Sequence, residues 1–316
     1  MISLICTVRD EADTIVALLD SMLGQTRLPD EIVINDCLSQ DSTAALVRAY
    51  AQREPRVRLV AGGHNISSGR NHAIRAARGE LIACTDAGLR LDPDWLAAII
   101  APLEAGRADL VGGFFRPAPQ SLFELTLGAV NYRNLDEIDA ATFLPFGKSM
   151  AFRRSLWETV GGFPETLTHC EDLVFALAAE RAGLRRTFAP SALVHFRPRE
   201  SLAAFARQYY FYGRGDAMAG LWPRRHLLRY SVYGALGGLL AGAWRWPRLR
   251  GPIAALIFSG AGAYTQAPYR RLWPRLTAYS YAERAYALAL VPLIRFVGDV
   301  AKMVGYAVGK HRKADS

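Results

Sequence analysis

The chain has 316 residues, of which 51% are hydrophobic and 21% charged, a globular composition with room for one large domain and an appendage. Its four cysteines lie far apart without CxxC or metal-type spacing, which argues against a disulfide scaffold and fits reduced thiols in the cytosol. The net charge of +9 is uneven, because residues 1–196 hold 19 Lys and Arg against 24 Asp and Glu, whereas residues 197–316 hold 19 against 5. This basic part, with its Trp, Tyr and apolar runs, predicts a membrane surface as partner rather than nucleic acid.

Strands and helices alternate along the first third of the chain. The predicted elements are strand Ile2–Cys6, helix Glu11–Gln25, strand Glu31–Ile34, helix Asp41–Gln52, strand Val57–Ala61, helix Ser68–Arg78 and strand Leu81–Cys84. This order predicts an α/β fold with a mainly parallel, doubly wound sheet. The strand ends should bring Thr7, Asp36 and Asp86 to one crevice, where a nucleotide is expected. The chain lacks both GxGxxG after the first strand and GxxxxGK[ST], which disfavours Rossmann dehydrogenases and P-loop enzymes.

Asp86 stands where the fourth strand ends. Gly88, two residues on, permits backbone conformations that a side chain would disfavour. Asp92 and Asp94 surround a proline and are typical of a helix start. We therefore interpret Asp86 as a carboxylate aimed at a cation or a phosphorylated ligand. The alternative is that it satisfies local backbone donors of the turn.

Further elements follow in the order strand Leu110–Phe115, helix Ser121–Tyr132, loop Leu144–Ser149, a helix from Glu171, strand Ala192–Val194 and helix Ser201–Gly215. The acidic pair Glu171-Asp172 suits a helix N-terminus, because carboxylates there complement the helix dipole. His195 follows a short strand. A lone histidine at such a place is usually a hydrogen-bonded structural residue.

The segments CTVRDEADTI, QTRLPDEIVINDCLSQDST, HNISSGRNHAIRAARGELIACTDAGLRLDPDWL and SMAFRRSLWETVGGF with HCEDLVFALAAERAGLR together resemble family-two glycosyltransferases of the GT-A fold, of the bacterial, membrane-associated type. The resemblance covers roughly residues 1–215. It implies an enzyme that transfers a sugar from a nucleotide diphosphate sugar to an acceptor hydroxyl, usually with inversion at the anomeric carbon.

The resemblance also implies a nucleotide-sugar site. Its members are Thr7, Arg9, Glu11, Asp36, Arg70, Asn71, Asp86 and Ala87. Asp86 matches the first aspartate of the family's Asp-x-Asp metal motif, but Gly88 stands in place of the second. A weakly held Mg²⁺ or Mn²⁺ remains expected, since magnesium often takes one or two protein carboxylates and completes its sphere with waters and phosphates. His195 is a candidate additional ligand.

On the acceptor side, Asp172 matches the catalytic base, and Glu171 is the next candidate for that role. Lys148, Gln208 and Arg214 are candidate acceptor or phosphate contacts. Lys148 as a solvated loop charge is an equal alternative. For Gln208 and Arg214 the alternative is a basic amphipathic helix on a membrane.

The chain changes character after residue 215, so we expect a GT-A domain over 1–215 and a helical region over 216–316. The runs Leu227–Trp244 and Gly251–Tyr264 are near or below the length that spans a bilayer. Within Ala285–Gly309, Arg295, Asp299 and Lys302 form a polar stripe. We expect a monotopic or re-entrant appendage, with full spans or an oligomerising bundle as alternatives.

Taken with the resemblance, these features predict a transferase on the cytoplasmic face of the membrane that builds an envelope or exported glycan on a lipid-linked or glycan acceptor. It is also a candidate homo-oligomer. One alternative is a sugar-phosphate nucleotidyltransferase, although Thr7–Thr14 lacks the expected Gly-rich, basic signature. The other is a degenerate, nucleotide-sugar-binding scaffold, for which Gly88 is the main argument.

Overall fold

The computed structural model describes residues 1–314, with side chains through His311. The strands are β1 Ile2–Val8, β2 Glu31–Asp36, β3 Val57–Ala61, β4 Leu81–Asp86, β5 Leu89–Leu91, β6 Leu110–Pro117, β7 Met150–Arg153 and β8 Arg186–Phe196. The helices are α1 Ile15–Leu23, α2 Thr43–Arg53, α3 Ile66–Ala76, α4 Trp95–Glu104, α5 Leu122–Asn131, α6 Arg154–Val160, α7 Glu171–Arg181, α8 Leu202–Ala219, α9 Pro223–Arg245, α10 Arg250–Leu272 and α11 Tyr281–Ala314.

The chain forms two compact units. The first unit comprises Met1–Ala118 and Leu135–Arg197, and the second comprises Pro119–Asn134 and the chain from Pro198 onward. The expected boundary at 215/216 therefore differs from this division, which assigns α5 and α8 to the helical unit. Side chains of α5 and α8 bury apolar surface against α10 and α11, as the cluster containing Leu127, Phe205 and Val291 shows.

The first unit is built on one mixed sheet in the order β3-β2-β1-β4-β7-β6-β8-β5. Four of its seven strand pairings are parallel and three antiparallel, which confirms the predicted mainly parallel α/β fold. Strands β1 and β2 are buried along almost their whole length. Such continuous burial explains their uninterrupted apolar sequences, since helices cover both faces of a parallel sheet.

Two strands were missed in the sequence. β7 pairs antiparallel with both β4 and β6 and so lies in the middle of the sheet, while β5 pairs antiparallel with β8. They have four and three residues, respectively, too few to show an alternating pattern. The first helix also begins later than expected, at Ile15, because the Glu11 carbonyl first accepts turn hydrogen bonds from Thr14 and Ile15.

The second unit is helical, as predicted. Glycines of α11 lie directly on α8: a Cβ added at Gly305 would lie 2.0 Å from the Tyr210 carbonyl oxygen, and one at Gly309 would lie 2.6 Å from that of Arg214. The predicted polar stripe of α11 also contacts neighbouring helices. Asp299 accepts hydrogen bonds from α9 and α10, and the Lys302 ammonium lies 5.1 Å from the Tyr209 ring centroid on α8. In the described part of the chain, every helix is too short or too polar to cross a membrane.

Candidate functional site

The carboxyl ends of β1, β2 and β4 form one edge of the sheet. In the strand register Thr7 pairs with both Asn35 and Asp86, and Val8 pairs with Asp36. The predicted convergence of Thr7, Asp36 and Asp86 is thereby confirmed. Ligands of open α/β sheets bind outside such strand ends.

Arg70 connects this edge to the start of α7. Its Nη2 donates to Oδ1 of Asp86 at 2.5 Å, and its Nη1 donates to Oε1 of Glu171 at 2.6 Å. The arginine is 1% exposed, and its guanidinium lies 5.3 Å from the ring centroid of Phe163. Two sites far apart in sequence therefore share one buried cation.

Local sequence explains how Arg70 enters the interior. Asn65 caps α3 in a capping box with Ser68, which fixes the start of the helix. One turn later, Gly69 lies so close to β1 and β2 that a Cβ there would meet Thr7 at 2.5 Å and Cys37 at 2.6 Å. The helix can approach the sheet only because position 69 has no side chain.

The loop before β7 connects Arg70 with Asp172. The Gly147 amide donates to Oδ2 of Asp172 at 3.0 Å, while the other oxygen, Oδ1, accepts from the amide of Leu173. A Cβ at Gly147 would lie 2.1 Å from Nη2 of Arg70. Glycine is therefore required for this loop to pass the buried guanidinium, and the loop in turn orients Asp172.

Electrostatics distinguish the two members of the acidic pair. Burial raises the pKa of Glu171 to about 7, although the nearby Arg70 cation opposes that shift. Glu171 is 5% exposed and ion-paired. Asp172, half-buried, is held by backbone amides alone in the hydrogen bonds above, and each of its oxygens retains a further lone pair.

The predicted nucleotide residues have different surroundings. Asp36 accepts hydrogen bonds from the amide and hydroxyl of Ser39, which orders the loop after β2. Arg9 is exposed beside Asp10, 3.8 Å from it. Thr7 Oγ1 and Asn35 Oδ1 are buried polar atoms without a hydrogen-bond partner among the described residues.

Asn71 makes protein contacts with all of its amide. It donates to the Phe163 carbonyl and the Glu165 carboxylate, and its oxygen accepts from Trp157 and the Phe163 amide. It is 2% exposed. Asn71 thus anchors the loop that leads to Glu171 and Asp172.

No group of three or more His, Cys, Asp or Glu side chains within residues 1–314 is placed to hold a metal ion. His195, the additional ligand predicted beside Asp86, instead has Nε2 2.7 Å from Oδ1 of Asp92. β5 causes this pairing, since it sets Arg90 opposite His195 in the sheet. The sequence gave no signal of that three-residue strand.

Glu11 occupies the space left by Gly88. Gly88 has φ +70°, in the region that favours glycine, and the one atom within 4 Å of its added Cβ is Oε2 of Glu11 at 3.7 Å. A carboxylate from the β1 loop therefore stands beside the position of the family's second metal-binding aspartate. Spacing in the sequence could not reveal this proximity.

The predicted acceptor residues lie in both units. In the first unit, the Lys148 ammonium lies 4.4 Å from the Phe196 ring centroid and 5.3 Å from that of Phe115, a cation–π arrangement rather than a solvated loop charge. In the second unit, Gln208 donates to the hydroxyl of Tyr212 within α8, which also carries Arg214.

Backbone strain accompanies the site. Four non-glycine residues within 1–314 have positive φ, and three of them lie in the site loops: Asp10 after β1, Leu38 after β2, and Cys170 immediately before Glu171. Such conformations cost about 1–3 kcal/mol each and cluster at functional sites.

The sequence matches the family described as Glycosyl transferase family 2 over residues 3–161. The succinoglycan biosynthesis protein ExoO of Rhizobium meliloti is 30% identical over 299 residues, covering 78% of this chain and 83% of that protein. ExoA of the same organism, also a succinoglycan biosynthesis protein, is 27% identical over 252 residues, covering 73% and 76%. The Glu171-Asp172 pair lies beyond the matched family segment.

Solved structures share the fold. The mannosyltransferase PcManGT from Pyrobaculum calidifontis, in complex with GDP-Man and Mn²⁺, has a TM-score of 0.60 at 22% identity and covers 98% of this chain and 86% of its own. TarS 1–349 from S. aureus, in complex with UDP-GlcNAc, has a TM-score of 0.51 at 17% identity, covering 99% and 91%.

Proposed function

Since the chain belongs to glycosyl transferase family 2 and is a glycosyltransferase of the GT-A fold, we propose that it moves a sugar from a nucleotide diphosphate sugar to a hydroxyl of a lipid-linked or glycan acceptor, with inversion. The observation that carries this proposal is the Arg70 bridge. It joins Asp86, at the sheet edge where a donor diphosphate is expected, to the acidic pair that would serve the acceptor.

Asp172 is the proposed catalytic base. Its carboxylate accepts two backbone hydrogen bonds and is oriented by them, yet its remaining lone pairs can accept an acceptor hydroxyl. Proton transfer to Asp172 as that oxygen attacks the anomeric carbon would release the nucleoside diphosphate from the opposite face. Glu171 is less suited, because Arg70 already occupies one of its oxygens and it is almost fully buried.

The nucleotide would lie at the carboxyl edge of β1, β2 and β4. Thr7, Arg9 and Asp36 are the proposed base and ribose contacts, and Asp86 with Ala87 would lie under the diphosphate. The partnerless oxygens of Thr7 and Asn35 support a polar ligand or water at this edge. Asn71 is proposed to act by positioning the acceptor-side loop.

A divalent cation fits the residues present. Hard cations take oxygen ligands, and Glu11 supplies a carboxylate next to the position where Gly88 lacks one. We propose that Asp86 and Glu11 hold the ion, with His195 excluded from the set by its contact with Asp92. When bound, the cation neutralises charge on the leaving diphosphate.

We further propose that the enzyme works at the cytoplasmic face of the membrane in exopolysaccharide synthesis. The relatives named above act in succinoglycan biosynthesis, and the second unit is strongly basic. The nucleotidyltransferase alternative is not supported by the family match. The scaffold alternative predicts donor binding without turnover.

The decisive experiment is calorimetry with a panel of nucleotide sugars, followed by turnover with the donor that binds. Donor affinity should fall at least about tenfold in Asp86→Asn, because the diphosphate loses charge-assisted contacts worth more than 1.4 kcal/mol. Manganese titration should be tighter with nucleoside diphosphate present, and Glu11→Gln should reduce that gain. Donor binding with no turnover of any acceptor or of water would contradict the proposal and favour the scaffold.

A further inference from the structure

Helices α9 and α10 form a hairpin, connected by the 3-10 turn Pro247–Leu249. The two legs are joined to α11 at one carboxylate, because the hydroxyls of Tyr233 on α9 and Tyr264 on α10 both donate to Oδ2 of Asp299. Beyond these tyrosines each leg continues for about 20 Å to the turn, at 1.5 Å per helical residue. We call the part between Tyr233 and Tyr264 the hairpin arm.

The hairpin arm exposes large apolar side chains. Trp244 is 81% exposed, Phe258 77%, Leu256 58% and Leu240 55%. Burial is confined to the other ends of the legs, where the buried residues are His226 of α9 and Thr265, Pro268 and Leu272 of α10. Contiguous exposed apolar surface on this scale marks an interaction site.

Glycines show that the arm is not packed within its own unit. Cβ atoms added at Gly234, Gly237, Gly238, Gly260 and Gly262 would all have open space around them. On α11, in the same unit, a Cβ at Gly305 would collide with α8. The same residue type therefore marks close packing in one helix pair and an uncovered surface in the other.

Charge identifies the partner. The 66 residues between Asp216 and Glu283 contain nine arginines and no Asp or Glu. Three of them, Arg245, Arg248 and Arg250, are exposed at the turn, beside the exposed Trp244 and Trp246. Trp and Arg side by side suit the boundary between lipid headgroups and acyl chains.

We infer that the hairpin arm docks on an anionic lipid surface, lying in the interfacial plane with its apolar side chains among the acyl chains and its arginines at the phosphates. This inference deepens the proposed membrane location and is independent of the chemistry at Asp172. A second copy is disfavoured as the occupant, because two arms would bring like charges together. Deep insertion is disfavoured too, since three arginines at the turn would enter hydrocarbon.

The test is sedimentation of the full-length protein with vesicles of equal parts phosphatidylcholine and phosphatidylglycerol. Neutralising Arg245, Arg248 and Arg250 together to Gln should weaken binding about a hundredfold, as each surface arginine contributes roughly tenfold or slightly less. The matched control neutralises three exposed arginines of the first unit, Arg48, Arg78 and Arg107, and should change binding little. Vesicles of phosphatidylcholine alone should bind weakly.

A second pair of variants tests the apolar contact. Trp244→Glu with Phe258→Glu should abolish vesicle binding, whereas Val16→Glu with Leu28→Glu, which adds equal charge at exposed apolar positions of the first unit, should retain most of it. Brominated lipids should quench wild-type tryptophan fluorescence and quench Trp244→Phe less. Sedimentation velocity and donor calorimetry confirm that each variant is folded and report its oligomeric state.

Each outcome decides. Vesicle binding by the wild type that survives both hairpin variants would overturn the inference while leaving the membrane location intact. Absence of wild-type binding would overturn both, and donor turnover would still judge the transferase separately. If Trp244→Glu with Phe258→Glu instead converts a dimer to a monomer with no effect on lipid, a second copy covers the arm.

Discussion

The two units break the usual distribution of side chains in opposite directions. In the first, Arg70 is buried between two carboxylates at 1% exposure, and in the second Trp244 and Phe258 are about four-fifths exposed. Ordinary folding would place the charge outside and the rings inside. Departures of this kind are expected at functional sites, which the rest of the fold stabilises. The difference teaches that each unit has its own ligand class, ionic in one and amphipathic in the other.

The largest effect is expected at Asp172, within the ionic region. Asp172→Asn preserves size and most hydrogen-bonding shape but removes the proton acceptor, so turnover should fall about 10²–10⁴-fold while donor affinity stays nearly constant. Steady-state rates beside donor calorimetry measure both. Asp94→Asn, at an exposed helix start, is the control. Retention of more than about a tenth of the activity would exclude Asp172 as the base and make Glu171 the next candidate.

Removing the buried cation should cost the most stability. Arg70→Met leaves two buried carboxylates facing each other's charge, and we expect a loss of about 3–5 kcal/mol in the free energy of unfolding. Arg27→Met breaks an exposed pair with Glu104 and should cost about 0–1 kcal/mol. Urea denaturation compares the two. Equal losses would mean that burial does not distinguish these ion pairs.

Glu171 should make stability depend on pH. Its pKa is raised from 4.5 to about 7 in the folded protein, so the folded state binds more protons than the unfolded chain between those values. Stability from this group is complete below about pH 4.5 and is lost as the pH rises through 7. Relative to Glu171→Gln, the wild type should lose about 1–3 kcal/mol between pH 4.5 and 7.5. A flat difference across that range would show that Glu171 is ionised throughout.

The smallest effect should come from the exposed rings. Trp244→Ala should change the free energy of unfolding by no more than about 0.5 kcal/mol in the absence of lipid, because the ring has few protein neighbours. Trp95→Ala, in the core of the first unit, should cost about 3–5 kcal/mol. Thermal or urea unfolding without vesicles makes the measurement. A large loss at Trp244 would reveal a folding role and remove the contrast between the units.

Sequence patterns determined most of the α/β architecture. The alternation of buried strands and amphipathic helices, together with parallel-sheet geometry, was enough to bring Thr7, Asp36 and Asp86 to one edge. Motif order and spacing identified the family. These features are local or periodic along the chain, so they are visible before any tertiary contact is known.

Tertiary structure alone decided how the site is wired. Arg70 and Glu171 are about a hundred residues apart, Glu11 reaches Gly88 across two strands, and Gly147 is held between Arg70 and Asp172. No periodicity encodes such contacts, because each depends on the close approach of separate elements. His195 illustrates the same limit: a three-residue strand, too short to predict, directed it to Asp92. In the second unit the sequence supplied the charge and the apolar residues, and only the fold showed which of them are left uncovered.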